Sequence, residues 1–134
     1  MDALYPRLLV RDFAAAADFY TTALRELFGV EPVKVIHEAQ YANWDLDGQT
    51  GLVLFGRDQI AETIGTTALP AEADAQDGSM LVFKVESVDD ATGILEKLGA
   101  TVLSAPQDRP QWGPNLRTAH LRAPNGTLLE LQSY

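Results

Sequence analysis

Apolar and polar positions along the chain fall into two copies of one plan. Tyr5-Pro6-Arg7-Leu8-Leu9-Val10 reads as a strand. Asp12 follows where a helix N-cap belongs, because its carboxylate can accept from the unpaired amides of a first turn. Ala16, Phe19, Tyr20, Ala23, Leu24 and Leu27 then recur at three- and four-residue spacing, which gathers them on one face of a helix near 12–28. Gly29 closes it, since glycine adopts the left-handed conformation at a helix end. The plan returns with the strand Met80-Leu81-Val82-Phe83-Lys84-Val85 and with Ser87 as N-cap, where Asp90 completes a capping-box pattern. Ala91, Ile94, Leu95 and Leu98 form the apolar face of a helix near 88–98, ended by Gly99.

Each copy is predicted to add three strands. In the first they fall near 32–38, 40–46 and 51–55, with Asp47-Gly48 as the turn between the last two. In the second they fall near 100–103, 116–122 and 127–132, with Pro124-Asn125-Gly126 as the corresponding turn. Leu52-Val53-Leu54-Phe55 echoes Leu129-Glu130-Leu131-Gln132. The expectation is a single α+β domain over 1–134. Module 1 spans about 1–56 and module 2 about 80–134. The linker, 57–79, carries Asp58, Glu62, Glu72, Asp74 and Asp77 against Arg57 alone, with Gly65 and Pro70. Residues 104–115 hold Pro106, Pro110, Gly113 and Pro114 around Arg109 and Trp112, and are expected to form a long functional or mobile loop.

Alternation along the strands sorts side chains to two faces. Leu8, Val10, Leu52, Leu54, Leu81, Phe83, Val85, Leu129 and Leu131 suit the helix-covered face, being uniformly apolar. The other face then carries Tyr5, Arg7, Leu9, Val53, Phe55, Met80, Val82, Lys84, Leu128, Glu130 and Gln132. That surface, mostly apolar with a few polar groups, reads as a small-molecule cleft. Its competing reading as a second core is opposed by Arg7, Lys84, Glu130 and Gln132, because buried charge is costly unless paired.

Composition narrows the function. A charged fraction of 22% and a hydrophobic fraction of 46% are those of a soluble globular domain. No apolar run approaches membrane-spanning length and no signal-peptide pattern opens the chain, so a cytoplasmic location is expected. There is no cysteine, which excludes disulfides, thiolate metal sites and a cysteine nucleophile. The net charge of −9 argues against nucleic acid. It suits a cationic ligand, or simply a solvated acidic surface.

Leu8-Leu9-Val10-Arg11-Asp12 leading to Asp18-Phe19-Tyr20, and Trp112-Gly113 followed by Ala123-Pro124-Asn125-Gly126-Thr127-Leu128-Leu129-Glu130-Leu131, resemble in order and spacing the vicinal oxygen chelate superfamily. That superfamily includes glyoxalase I, bleomycin-resistance proteins and extradiol dioxygenases, and the resemblance covers nearly the whole chain. It implies two β-α-β-β-β modules forming a shared curved-sheet cleft, the glyoxalase/bleomycin-resistance fold, and a homodimer. It departs at the final turn, where Ala123 and Asn125 replace common aspartates. Enzymes of the superfamily hold a divalent metal with one residue from each of four strands. Those positions align here with Tyr5, Val53, Met80 and Glu130, of which only Glu130 is a usual ligand. The resemblance therefore implies a degenerate site, with no metal and no cofactor.

The candidate ligand-binding residues are Tyr5, Arg7, Val53, Phe55, Met80, Trp112, His120 and Glu130. His120 reads as a ligand contact, a general base or an ordinary strand residue. Trp112, in a loop without a regular core position, suits a lid over a flat or cationic ligand, or a loop anchor. Arg109 beside it can pair with the ligand or with the acidic linker. Trp44 is either core or a stacking wall, and His37 is expected at the surface. Two functions remain in view: a protein that binds a small aromatic or cationic compound, and a lyase or isomerase with Glu130 as base, with or without a weakly held metal.

Overall fold

The computed structural model describes residues 3–71 and 76–134. Glu72 and Asp74 of the expected linker lie outside the described residues. The chain divides into two compact units, 1–75 and 76–134. In the first, β1 (Arg7–Val10), α1 (Phe13–Phe28), β2 (Lys34–Ile36), β3 (Tyr41–Leu46) and β4 (Gln49–Gly56) are followed by α2 (Arg57–Ile64). The second contains β5 (Leu81–Lys84), α3 (Val88–Lys97), β6 (Thr101–Asp108), β7 (Arg117–Arg122) and β8 (Leu128–Ser133). The sheet orders are β1-β4-β3-β2 and β5-β8-β7-β6. In each, the first strand runs parallel to the last and the other pairings are antiparallel. The near-repeat in sequence is thus a repeat of topology, and the α+β fold of two β-α-β-β-β modules is observed.

Local chemistry accounts for the helix ends. Asp12 Oδ1 accepts from the Ala15 amide at 3.1 Å, and Gly29 stops α1 at φ 66° with its N–H donated to the Arg25 carbonyl. Ser87 Oγ accepts from the Asp90 amide at 3.1 Å. The helix-facing set also holds. Val10, Leu52, Leu54, Phe83, Leu129 and Leu131 are buried, and Leu8, Leu81 and Val85 are half-buried. Trp44 lies opposite Leu52, and Ala42 opposite Leu54, so Trp44 shares their face and is core. His37 is exposed, with Phe13 edge-on to its ring at 5.6 Å.

Three expectations are revised. Residues 104–108 are not loop but the continuation of β6. Pro106 is tolerated there because β6 is an edge strand, where a missing amide breaks no ladder on the outer side, and because the pairing with β7 is irregular between Ser104 and Gln107. The segment after β4 opens with helix α2, which has no buried residue and hence no apolar stripe to betray it. It is tied down by Arg57, whose guanidinium donates to the Leu9 and Ala71 carbonyls. Strands β1 and β5 begin at Arg7 and Leu81, leaving Tyr5 and Met80 ahead of the sheets rather than on them.

Two surface ion-pair groups brace the second unit. Arg117 donates to Asp89 and to Asp108, and Arg122 donates to Asp77. These hydrogen bonds hold the Asp77 and Asp89 carboxyls below their ordinary value of 3.8. Depressed carboxyl values give stability that is present above the unfolded-state value and lost as pH falls through the folded-state values. Urea midpoints measured down a pH series are therefore expected to fall below about pH 4. The fall should be shallower in the Asp77→Asn/Asp89→Asn double variant, and an unchanged slope would assign the acid response elsewhere.

Candidate functional site

The register of the second sheet sets polar side chains in rows on the face away from α3. Antiparallel pairing of β7 with β8 places His120 opposite Glu130 and Thr118 opposite Gln132. Parallel pairing of β5 with β8 sets Val82 beside Glu130 and Lys84 beside Gln132. On the other side, β6 brings Ser104 opposite His120. One row thus reads Val82, Glu130, His120, Ser104 across four strands.

Glu130 is 7% exposed, and both its oxygens are engaged. His120 Nε2 lies 2.8 Å from Oε1, and Gln132 Nε2 donates to Oε2 at 2.9 Å. A buried carboxylate needs such partners, and here they come from its own strand and the next. With the Nε2 hydrogen on the Glu130 side, a neutral imidazole presents the Nδ1 lone pair as an acceptor. The cations Arg7 and Lys84 of the strand faces meet aromatic rings instead. Arg7 stands over the Phe55 ring at 5.6 Å, and Lys84 over the Tyr134 ring at 3.8 Å.

The loop after β6 is a short ordered turn. The Arg109 amide continues the ladder by donating to the Leu116 carbonyl, and the Trp112 and Gly113 amides both donate to the Arg109 carbonyl. This turn holds Trp112 edge-on to His120, ring centroids 6.1 Å apart, while leaving the indole 55% exposed. The Arg109 guanidinium lies 4.5 Å from the Trp112 ring centre and donates to Thr118 Oγ1 (3.2 Å) and Ser104 Oγ (3.1 Å).

Of the candidate residues, Trp112, His120 and Glu130 come together in this unit. Arg7 and Phe55 meet in the first, with Tyr41 edge-on to Phe55 at 6.5 Å. Val53 is buried in the middle of the first sheet, flanked by Arg7 and Asn43. Tyr5 and Met80 are exposed and join no such cluster. Ser104, Thr118 and Gln132 complete the second-unit cluster but were not among the sequence candidates. Thr118 and Gln132 sit two residues from His120 and Glu130, so strand alternation marks them. Ser104 was hidden because Pro106 made its segment read as loop.

Of the four positions that the resemblance led one to expect at a metal, Tyr5, Val53 and Met80 carry a phenol, a hydrocarbon and a thioether, and the Glu130 carboxylate is already bonded to His120 and Gln132. Among the described residues, no three His, Cys, Asp or Glu side chains group as a metal site would require.

A two-module α+β fold of this kind, with polar side chains lined up on one face of a sheet, defines a class, and comparison with known proteins places the chain in it. The model of the Glyoxalase/Bleomycin resistance protein/Dioxygenase superfamily matches residues 4–131, and the chain belongs to that superfamily. The Bacillus subtilis (strain 168) protein YraH, itself described as uncharacterized, is 35% identical over 131 residues, 98% of this chain and 97% of its own. A glyoxalase/bleomycin resistance protein/dioxygenase from Nocardioides superposes with TM-score 0.70 at 26% identity, over 100% of this chain and 83% of that one. A glyoxalase-related enzyme from Fulvimarina pelagi gives TM-score 0.73 at 20% identity, over 100% and 88% of the two chains, a likeness of fold. Among the described residues, no helix is long and apolar enough to cross a membrane.

Proposed function

We propose that this chain binds a small aromatic compound on the face of the second sheet that carries Trp112, His120 and Glu130, and that it does so without a catalytic metal. The observation that carries the reading is Trp112: a large aromatic side chain left 55% exposed, yet held by a hydrogen-bonded turn against fixed polar groups. An exposed indole beside anchored hydrogen-bonding partners is a stacking platform with orienting contacts. Of the two ligand chemistries expected from sequence, the aromatic one is kept. A cation would compete with Arg109, which already lies over the indole.

A degenerate metal site is part of this reading. A catalytic ion needs several protein ligands and an open position, and Val53 and Met80 provide no suitable donor. Tyr5, Val53 and Met80 are proposed as ligand contacts on the family alignment alone, and Arg7 and Phe55 on the alternation along their strands. The homodimer rests on the family resemblance and the cytoplasmic location on the sequence reading, and light scattering that reports a monomer at micromolar concentration removes the dimer.

Two measurements test the proposal. Trp44→Phe leaves Trp112 as the only tryptophan, and its emission is expected to shift when an aromatic compound binds. Calorimetric binding with silent emission would take Trp112 out of the site. Elemental analysis after dialysis is expected to find far less than one metal per chain. Near one equivalent of zinc, nickel, iron or manganese, lost in Glu130→Gln, would overturn the metal-free reading.

The His120–Glu130 bond favours a second reading, a lyase or isomerase in which His120 Nδ1 takes a proton and Glu130 orients the ring. This differs from a role for Glu130 as the base, since its oxygens are engaged. Deuterium from heavy water entering a bound compound, and failing to enter with His120→Ala, would move the assignment to catalysis.

A further inference from the structure

We propose that the compound bound beside Trp112 carries a carboxylate and that Arg109 receives it, an inference that rests on the binding reading above. The chain has 19 acidic residues against 10 Lys and Arg, so carboxylate partners are plentiful. In the second unit Arg117 pairs with Asp89 and Asp108, and Arg122 with Asp77. Arg109 is the exception. It is half-buried, and among the described residues its guanidinium meets only the Ser104 and Thr118 hydroxyls and the Trp112 ring.

Two neutral hydroxyls fix the orientation of a guanidinium without neutralising it. They engage Nε and Nη2. The group has five N–H donors, so both hydrogens of Nη1 and one of Nη2 remain for a carboxylate. Partial burial strengthens the attraction for an anion and adds to the cost of leaving the cation without one. The indole beside it supplies a flat surface for an aromatic ring attached to that carboxylate.

The row across the sheet explains why Glu130 does not repel such a ligand. Ser104, which anchors Arg109, is on β6, His120 on β7 and Glu130 on β8. The second anchor of Arg109, Thr118, is on β7, and both oxygens of Glu130 are turned to His120 and Gln132. A carboxylate at Arg109 leaves His120 and Glu130 facing the rest of the ligand.

The test is calorimetry on the full chain with naphthalene carboxylate, the corresponding carboxamide and naphthylmethylammonium, which share one ring system and differ in charge. The carboxylate is expected to bind about tenfold more tightly than the amide, as one charge-assisted bidentate pair supplies, and the ammonium most weakly. Arg109→Gln is expected to erase the carboxylate preference, so that carboxylate and amide bind alike. Arg109→Lys should keep part of the preference, because it retains charge but not the fork. The proposal is overturned if the amide or the ammonium equals the carboxylate in the unchanged chain, or if the preference survives Arg109→Gln. It is also overturned if none of the three binds while Trp112 emission responds to another compound, a result that leaves the binding reading intact. Trp112 silence towards compounds that calorimetry shows to be bound would instead remove the site itself.

Discussion

Replacing Trp44 with alanine is expected to cost about 3–5 kcal/mol of folding stability, the range for deleting a fully buried aromatic side chain. Trp44 is 0% exposed and sits across from Leu52, on the sheet face that also buries Leu54 and Val10. Removing the indole leaves a cavity lined by side chains that the sheet and α1 hold in place, so the site cannot collapse to fill it. Trp44→Phe should cost much less. The indole Nε1 is buried and meets no hydrogen-bond partner among the described residues. A phenyl ring therefore gives up part of the packing but also removes an unpaired donor. Urea unfolding of the three proteins tests this, and an alanine variant within about 1 kcal/mol of the parent would show that Trp44 is not a core residue. The small cost expected for phenylalanine is what makes that variant usable for reading Trp112 fluorescence.

The second large effect is expected at the His120–Glu130 pair. His120→Ala should destabilise the second unit by about 1–3 kcal/mol, because it leaves one oxygen of a buried carboxylate without its donor. The side chains are 16% and 9% exposed, so water reaches neither freely. Glu130→Leu should recover part of the loss in the His120→Ala background, since the penalty arises from the orphaned charge rather than from the absent ring. A double-mutant cycle measures this directly, with a coupling of about 1 kcal/mol or more expected for residues in hydrogen-bond contact. Additive single-variant costs would mean that the two residues do not act as a unit, and would remove the basis for assigning Glu130 the role of orienting His120.

Much of the fold was legible in the sequence because its signals are local. Asp12 and Gly29 bracket α1, and Ser87 opens α3, because capping depends on neighbouring amides. Alternation placed Leu52, Leu54, Leu129 and Leu131 on the buried face because a strand side chain has only two directions to take. The repeated spacing announced a repeated topology. Helix α2 escaped because it buries nothing and so needs no apolar period, and the length of β6 escaped because Pro106 mimics a loop unless its edge position is known.

The candidate site divides along the same line. The sequence by itself determined that His120 and Glu130 lie on neighbouring strands and that Trp112 and Arg109 share a proline- and glycine-bounded segment. Only the tertiary structure decided which partners meet. Register sets His120, rather than Lys84, against Glu130, and an edge-strand irregularity leaves Ser104 to hold Arg109 over Trp112. Register is a non-local property, fixed by how two distant strands align. A shift of one residue would send His120 to the opposite face of its sheet, and no spacing within a single strand records that choice.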